Sequence, residues 1–136
     1  MATQATLKWT NGLQFLARAE NGPAVVLDTP DGKGGPTPME MVLMGVAGCT
    51  AMDVISILTK KRQDVHNFEV NVSGQQVDEY PKRYSDIAIE YVVYGKAIDP
   101  KAVERAIALS TTKYCSAIAS VNATISNSYR IVEDEK

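Results

Sequence analysis

The residues best suited to chemistry in this chain are its two cysteines, Cys49 and Cys115, which stand far apart along the sequence. Cys49 lies among small and apolar neighbours in VAGCTAMD, and Cys115 follows an aromatic residue in KYCSAI. A thiolate can attack the outer oxygen of a peroxide and become a sulfenic acid. A second thiol then condenses with that acid to a disulfide, which prevents further oxidation. Such a pair needs a partner within reach and one thiol whose pKa is lowered from about 8.5 into the range of roughly 3.5–7.5, by a helix N-terminus or a cation. Arg18, Lys33, Arg62 and Arg83 are the candidate cations, and the sequence does not say which of them faces a sulfur. The residue types leave a second reading open, because free cysteines are commonly buried and inert.

Other chemistries find less support. His66 is the only histidine and falls in an expected connection after a helix, so a surface position is the simplest reading. No metal site is expected, since no second nitrogen ligand exists, and a Ser-His-Asp or Cys-His relay would depend on that one residue. Asp31-Gly32-Lys33-Gly34-Gly35-Pro36 lacks the Lys-Ser/Thr step and the strand-to-helix junction of a phosphate loop, which argues against nucleotide binding. No Cys-X-X-Cys spacing is present, which weighs against a general disulfide oxidoreductase.

The element that must position Cys49 is a long central helix opening at Pro38. Thr37 is the expected N-cap and Glu40 its capping-box partner, while Lys60, Lys61 and Arg62 suit the negative end of the helix dipole. Met41 to Met52 carry no polar stripe, so this half is expected to be buried on most sides. The uncharged run is about half of the roughly 20 residues a membrane span requires. Gly45 and Gly48 inside the helix suit either close approach of another backbone or access to the Cys49 sulfur.

Before this helix, Ala5–Trp9, Leu13–Ala19 and Ala24–Leu27 read as strands, separated by turns at Thr10-Asn11-Gly12 and Glu20-Asn21-Gly22-Pro23. After it, Asn67–Gln76 alternates like a half-buried strand, and Tyr84–Tyr94 is a long strand rich in Ile, Val and Tyr. Asp99 caps and Pro100 opens a second helix to about Lys113, with Val103, Ala106, Ile107 and Ser110 on one face. A short helical piece from Tyr114 to about Val121 and a strand from Ala123 to Val132 come next, before a charged tail from Glu133 to Lys136. The order β-β-β-α-β-β-α-(α)-β is an α+β domain without repeats or linkers.

At 136 residues the chain is expected to be one domain, residues 1–136, with 45% hydrophobic and 22% charged residues. Its net charge of −2 leaves no footprint for nucleic acid or an anionic membrane. The opening residues do not read as an export signal, so reduced thiols and a cytoplasmic protein are expected.

The segment GGPTPMEMVLMGVAGCTAMDVISIL resembles the first cysteine region of the OsmC/Ohr family of thiol-dependent hydroperoxide reductases. KYCSAIASVNATI resembles the second, and the order of elements agrees over almost the whole chain. The resemblance implies an α+β OsmC-like fold with a long central helix on an antiparallel sheet, in an intertwined homodimer with two sites at the subunit interface. It implies reduction of organic hydroperoxides, with Cys49 attacking and Cys115 resolving. No bound cofactor is implied; electrons would come from an external dithiol, by family analogy a lipoyl group. In the family's peroxidases an acidic residue directly follows the helix-opening proline and pairs with an arginine of the N-terminal strands. Here Met39 follows Pro38, and Glu40 stands one position later, about 100° around the helix. Glu40 and Arg18 are the residues that could fill those roles. The apolar setting of Cys49 favours alkyl or fatty-acyl hydroperoxides. The main rival reading is a non-catalytic dimer that binds a small hydrophobic ligand.

Overall fold

The computed structural model describes residues 2–20 and 22–133, so Asn21 of the second expected turn and residues 134–136 of the expected tail lie outside it. The chain divides into two compact units, residues 1–42 and residues 43–136.

In the first unit, β1 (Ala5–Asn11), β2 (Gln14–Ala19) and β3 (Ala24–Leu27) form an antiparallel sheet in that order. Asn11 pairs with Gln14, so the first turn is the two residues Gly12 and Leu13, with Gly12 in the left-handed region at φ 53°. Just after β3, the nearly buried Asp28 organises the glycine-rich loop. Its carboxylate accepts from Gln14 Nε2 (3.0 Å), the Gly34 N–H (3.0 Å) and the Thr29 N–H (2.7 Å). These donors hold its carboxyl below the usual aspartate range, with the Gln14 bond as the largest cause. A Cβ on Gly34 would stand 2.7 Å from Asp28 Oδ2, so this loop is glycine-rich because it wraps a carboxylate.

Helix α1 (Pro38–Lys60) opens as expected: Glu40 Oε1 accepts from the Thr37 N–H at 2.8 Å, and the Glu40 N–H donates to Thr37 Oγ1 at 3.1 Å. It closes with Arg62 in the left-handed region, the Gln63 N–H bonded to the Leu58 carbonyl and the Arg62 N–H to that of Thr59.

In the second unit α1 is followed by β4 (Asp64–Gln76), β5 (Tyr84–Lys96), α2 (Pro100–Leu109), a π-helical turn (Ser110–Tyr114), α3 (Ser116–Ala119) and β6 (Thr124–Glu133). Asp99 caps α2 by accepting from the Lys101 N–H, with Pro100 at its start. Val46, Val54 and Leu58 of α1 pack with Ile87, Ile89, Tyr91 and Val93 of β5 and with Val103, Ala106 and Ile107 of α2 in one apolar core.

Four expectations need correction. The sheet is not wholly antiparallel: β4 and β5 are, but β6 runs parallel to β5. The helical stretch between them carries the chain back across the sheet, so β6 starts beside the N-terminal part of β5. The second helix does not run unbroken to Lys113, because the backbone widens into the π turn at Ser110. His66 lies within β4 at an irregularity in its pairing with β5, not in a loop, and its Nε2 stands 3.1 Å from Asp64 Oδ1. Finally, the first half of α1 is not buried on most sides of a single chain. Val46, Ala47, Thr50, Val54 and Leu58 face inward, whereas Met44 is 52% and Met52 73% exposed. By length and composition alone the helix could cross a membrane, with a mean hydropathy of 2.0 over its most apolar window.

Candidate active site

Cys49 sits at the border of the buried face of α1, partly exposed, with the inward-pointing Thr50 beside it. Asp53 comes four residues on, one helical turn further along the same face. Cys115 comes from the segment that follows α2. The π turn ends at it, its N–H donating to the Ser110 carbonyl at 2.8 Å, and it then serves as N-cap of α3 in an extended conformation. Its sulfur accepts from the Ile118 N–H at 3.4 Å. The extra residue in a π turn rotates the chain beyond it relative to a regular helix, and such turns recur at functional sites.

This arrangement brings the two sulfurs and a carboxylate oxygen of Asp53 all within 4.8 Å of one another. Behind them runs a buried hydroxyl relay. Ser110 Oγ donates to Asp53 Oδ2 at 2.8 Å, Thr50 Oγ1 lies 2.7 Å from Ser110 Oγ, and Tyr91 OH lies 2.8 Å from Thr50 Oγ1. Ser110 spends its proton on Asp53, and the Tyr91 hydroxyl also donates to Asn127 Oδ1 at 3.5 Å. Thr50, Tyr91 and Ser110 are fully buried, and the relay satisfies all three hydroxyls.

The electrostatics separate the sulfurs. Burial pushes the Cys115 thiol up, the Ile118 N–H opposes this in part, and the neighbouring Cys49 sulfur further favours the protonated form by accepting its hydrogen bond. Cys115 is the more buried of the two sulfurs, at 5% exposed. Burial likewise pushes the Tyr91 phenol up, with the Thr50 bond opposing it.

Of the candidates that the sequence singled out, Cys49 and Cys115 meet. Glu40 is engaged in the capping box, and Arg18 lies on β2, paired in register with Thr6 and Ala24. Arg62 lies in the turn just past α1, and Arg83 belongs to the β4–β5 connection. A carboxylate that accompanies the sulfurs is that of Asp53, which from sequence alone is simply part of a wetter helix face. Its signal was available: it is the one charged residue between Glu40 and Lys60, four positions after a cysteine.

The OsmC-like protein family matches residues 30–129 of this chain. Protein YhfA of Escherichia coli K12 is 40% identical over 131 residues, spanning 95% of this chain and 98% of that protein. The chain belongs to the OsmC-like family. A solved structure from Aquifex aeolicus, described as a hypothetical protein, has 31% identity and a TM-score of 0.89 over 99% of each chain. The organic hydroperoxide resistance protein OhrB of Bacillus subtilis has a TM-score of 0.62 over 96% of this chain and 98% of that one. At 17% identity, OhrB attests the OsmC-like fold alone. A close cysteine pair on that fold is thus part of this OsmC-like protein.

Proposed function

We propose that this OsmC-like protein is a cytoplasmic, homodimeric, thiol-dependent reductase of organic hydroperoxides. The observation that carries this reading is the approach of two free sulfurs and Asp53 to within 4.8 Å. A disulfide has an S–S bond of about 2.05 Å, so modest closure joins them. Cys49, the more accessible sulfur, attacks the outer peroxide oxygen as its proton passes to Asp53. The O–O bond breaks, Cys49 becomes a sulfenic acid, and the departing alkoxide takes the proton from Asp53 and leaves as an alcohol. The Cys115 thiol then attacks the sulfenic sulfur, forming the disulfide and releasing water. An external dithiol, of the lipoyl class by family analogy, reduces the disulfide and restores both thiols.

The exposed apolar face of α1 supports the homodimer. Val42, Met44 and Met52 project from it, and a Cβ added at Gly45 or Gly48 would meet no described atom within 4 Å. A second copy covering that face would complete an apolar wall beside Cys49 suited to alkyl chains. The inward face of α1 belongs to the core, and Asp53 within the helix takes a bond from Ser110, which favours this over a membrane span.

The test is a thiol count on reduced protein treated with cumene hydroperoxide. Both thiols should disappear, with a Cys49–Cys115 bond found by peptide mapping. Cys49→Ser should lose turnover. Unchanged thiols, or a Cys49→Ser variant as fast as wild type, would refute the enzymatic reading. A ligand-dependent rise in Tm without thiol loss would point to a binding module instead.

A further inference from the structure

We infer that the reduced site also binds one thiophilic divalent cation of the Zn²⁺ class, held by Cys49 Sγ, Cys115 Sγ and an Asp53 carboxylate oxygen. The sequence argued against a metal because it offers a single histidine, but the fold assembles a donor set that needs none.

Zn–S bonds are about 2.3 Å, so a tetrahedral ion holds two thiolates roughly 3.8 Å apart. Three donors already within 4.8 Å of one another need only a small contraction to reach that geometry. Two thiolates select Zn²⁺-like ions over Mg²⁺ or Ca²⁺, which take oxygen ligands. An outer shell is also in place. Ser110 Oγ donates to Asp53 Oδ2, which orients the carboxylate, and the Ile118 N–H donates to Cys115 Sγ. Ser110 is fully buried and braced by Thr50, so the carboxylate is held rather than merely nearby. Three protein donors leave the fourth tetrahedral position to water.

As the ion binds, each sulfur forms a bond to it and releases its proton to solvent, with no change of oxidation state. The disulfide has no thiolate to offer, so oxidation of the pair expels the ion.

The test is anaerobic titration of the reduced, full-length protein with Co²⁺, followed by displacement with Zn²⁺. Saturation at a single ion per chain is expected, with thiolate-to-cobalt charge-transfer absorption and the strong visible bands of tetrahedral cobalt. Cys49→Ala and Cys115→Ser should each remove most of that absorption. Asp53→Asn should keep the charge-transfer bands but bind more weakly, by at least the roughly 10–100-fold that loss of an outer-shell partner costs. The disulfide form should take up nothing. Circular dichroism of each variant separates lost ligation from lost folding, and Cys49→Ala, at the less buried site, stands if Cys115→Ser does not fold. No saturable uptake, uptake indifferent to Cys49→Ala, or affinity unchanged in Asp53→Asn would overturn the site. Peroxide turnover is scored separately on metal-free protein, so either result can fail without the other.

Discussion

Cys49 and Cys115 differ in ways that fit the division of labour proposed for them. Cys49 is partly open on a helix face, while Cys115 is buried, accepts the Ile118 N–H and has its thiol pushed up by burial. Iodoacetamide at about neutral pH should label Cys49 first, because the thiolate is the reactive form and burial suppresses it at Cys115. Peptide mapping of a time course checks this; equal labelling would contradict the division of roles. Thr50 is the central member of the hydroxyl relay, bonded to both Tyr91 and Ser110 with no exposure of its own. Thr50→Val preserves shape but leaves Ser110 Oγ with Asp53 alone and Tyr91 OH with only the long 3.5 Å contact to Asn127 Oδ1. An unsatisfied buried group costs about 1–3 kcal/mol, so a clear drop in urea midpoint is expected. Thr50→Ser, which keeps the hydroxyl, should recover most of the loss.

At the scale of elements, the π turn and the glycine-rich loop each place a polar group. The π turn sets Ser110 against Asp53 and ends on Cys115. The loop after β3 delivers the Gly34 N–H to Asp28, whose pKa is depressed by its donors, Gln14 first. A carboxylate with a lowered folded pKa contributes stability above its unfolded value, about 3.9, and loses it as the pH falls through the folded value. The stability gap between wild type and Asp28→Asn should therefore be present near neutral pH and close below about pH 4. Urea midpoints measured across that range decide it; a gap that persists in acid would show that the carboxylate charge is not what the loop recognises.

At the scale of the whole molecule, the single chain leaves an apolar helix face uncovered. Met52 is 73% and Met44 52% exposed, with Val42 on the same helix at 38%. Patches of this kind mark interaction surfaces, and a second copy of the chain is the occupant proposed for it. Met52→Lys should shift the protein from dimer to monomer, read by light scattering across a dilution series. A wild type that is monomeric at every concentration would remove the dimer from the account.

Signals that act between near neighbours were legible without coordinates. The Thr37–Glu40 capping box, the Asp99-Pro100 helix start and the alternation of β4 each depend on residues a few positions apart, where local hydrogen bonding and side-chain direction decide the outcome. The element order and the family resemblance rest on the same short patterns. Which carboxylate accompanies the sulfurs did not follow from them, and the first acidic residue of the helix drew attention because it stood near a familiar position. The sequence offered Glu40 both as capping-box partner and as companion of the sulfurs, and only packing shows that Asp53, a turn beyond Cys49, meets a serine from the end of α2. The parallel β6 and the π turn belong to that same category, since both depend on how the chain crosses the sheet and returns. Chain order constrains neighbours along the backbone; the meeting of residues 49, 53 and 115 is a property of a shared core, and burial of that core selects it.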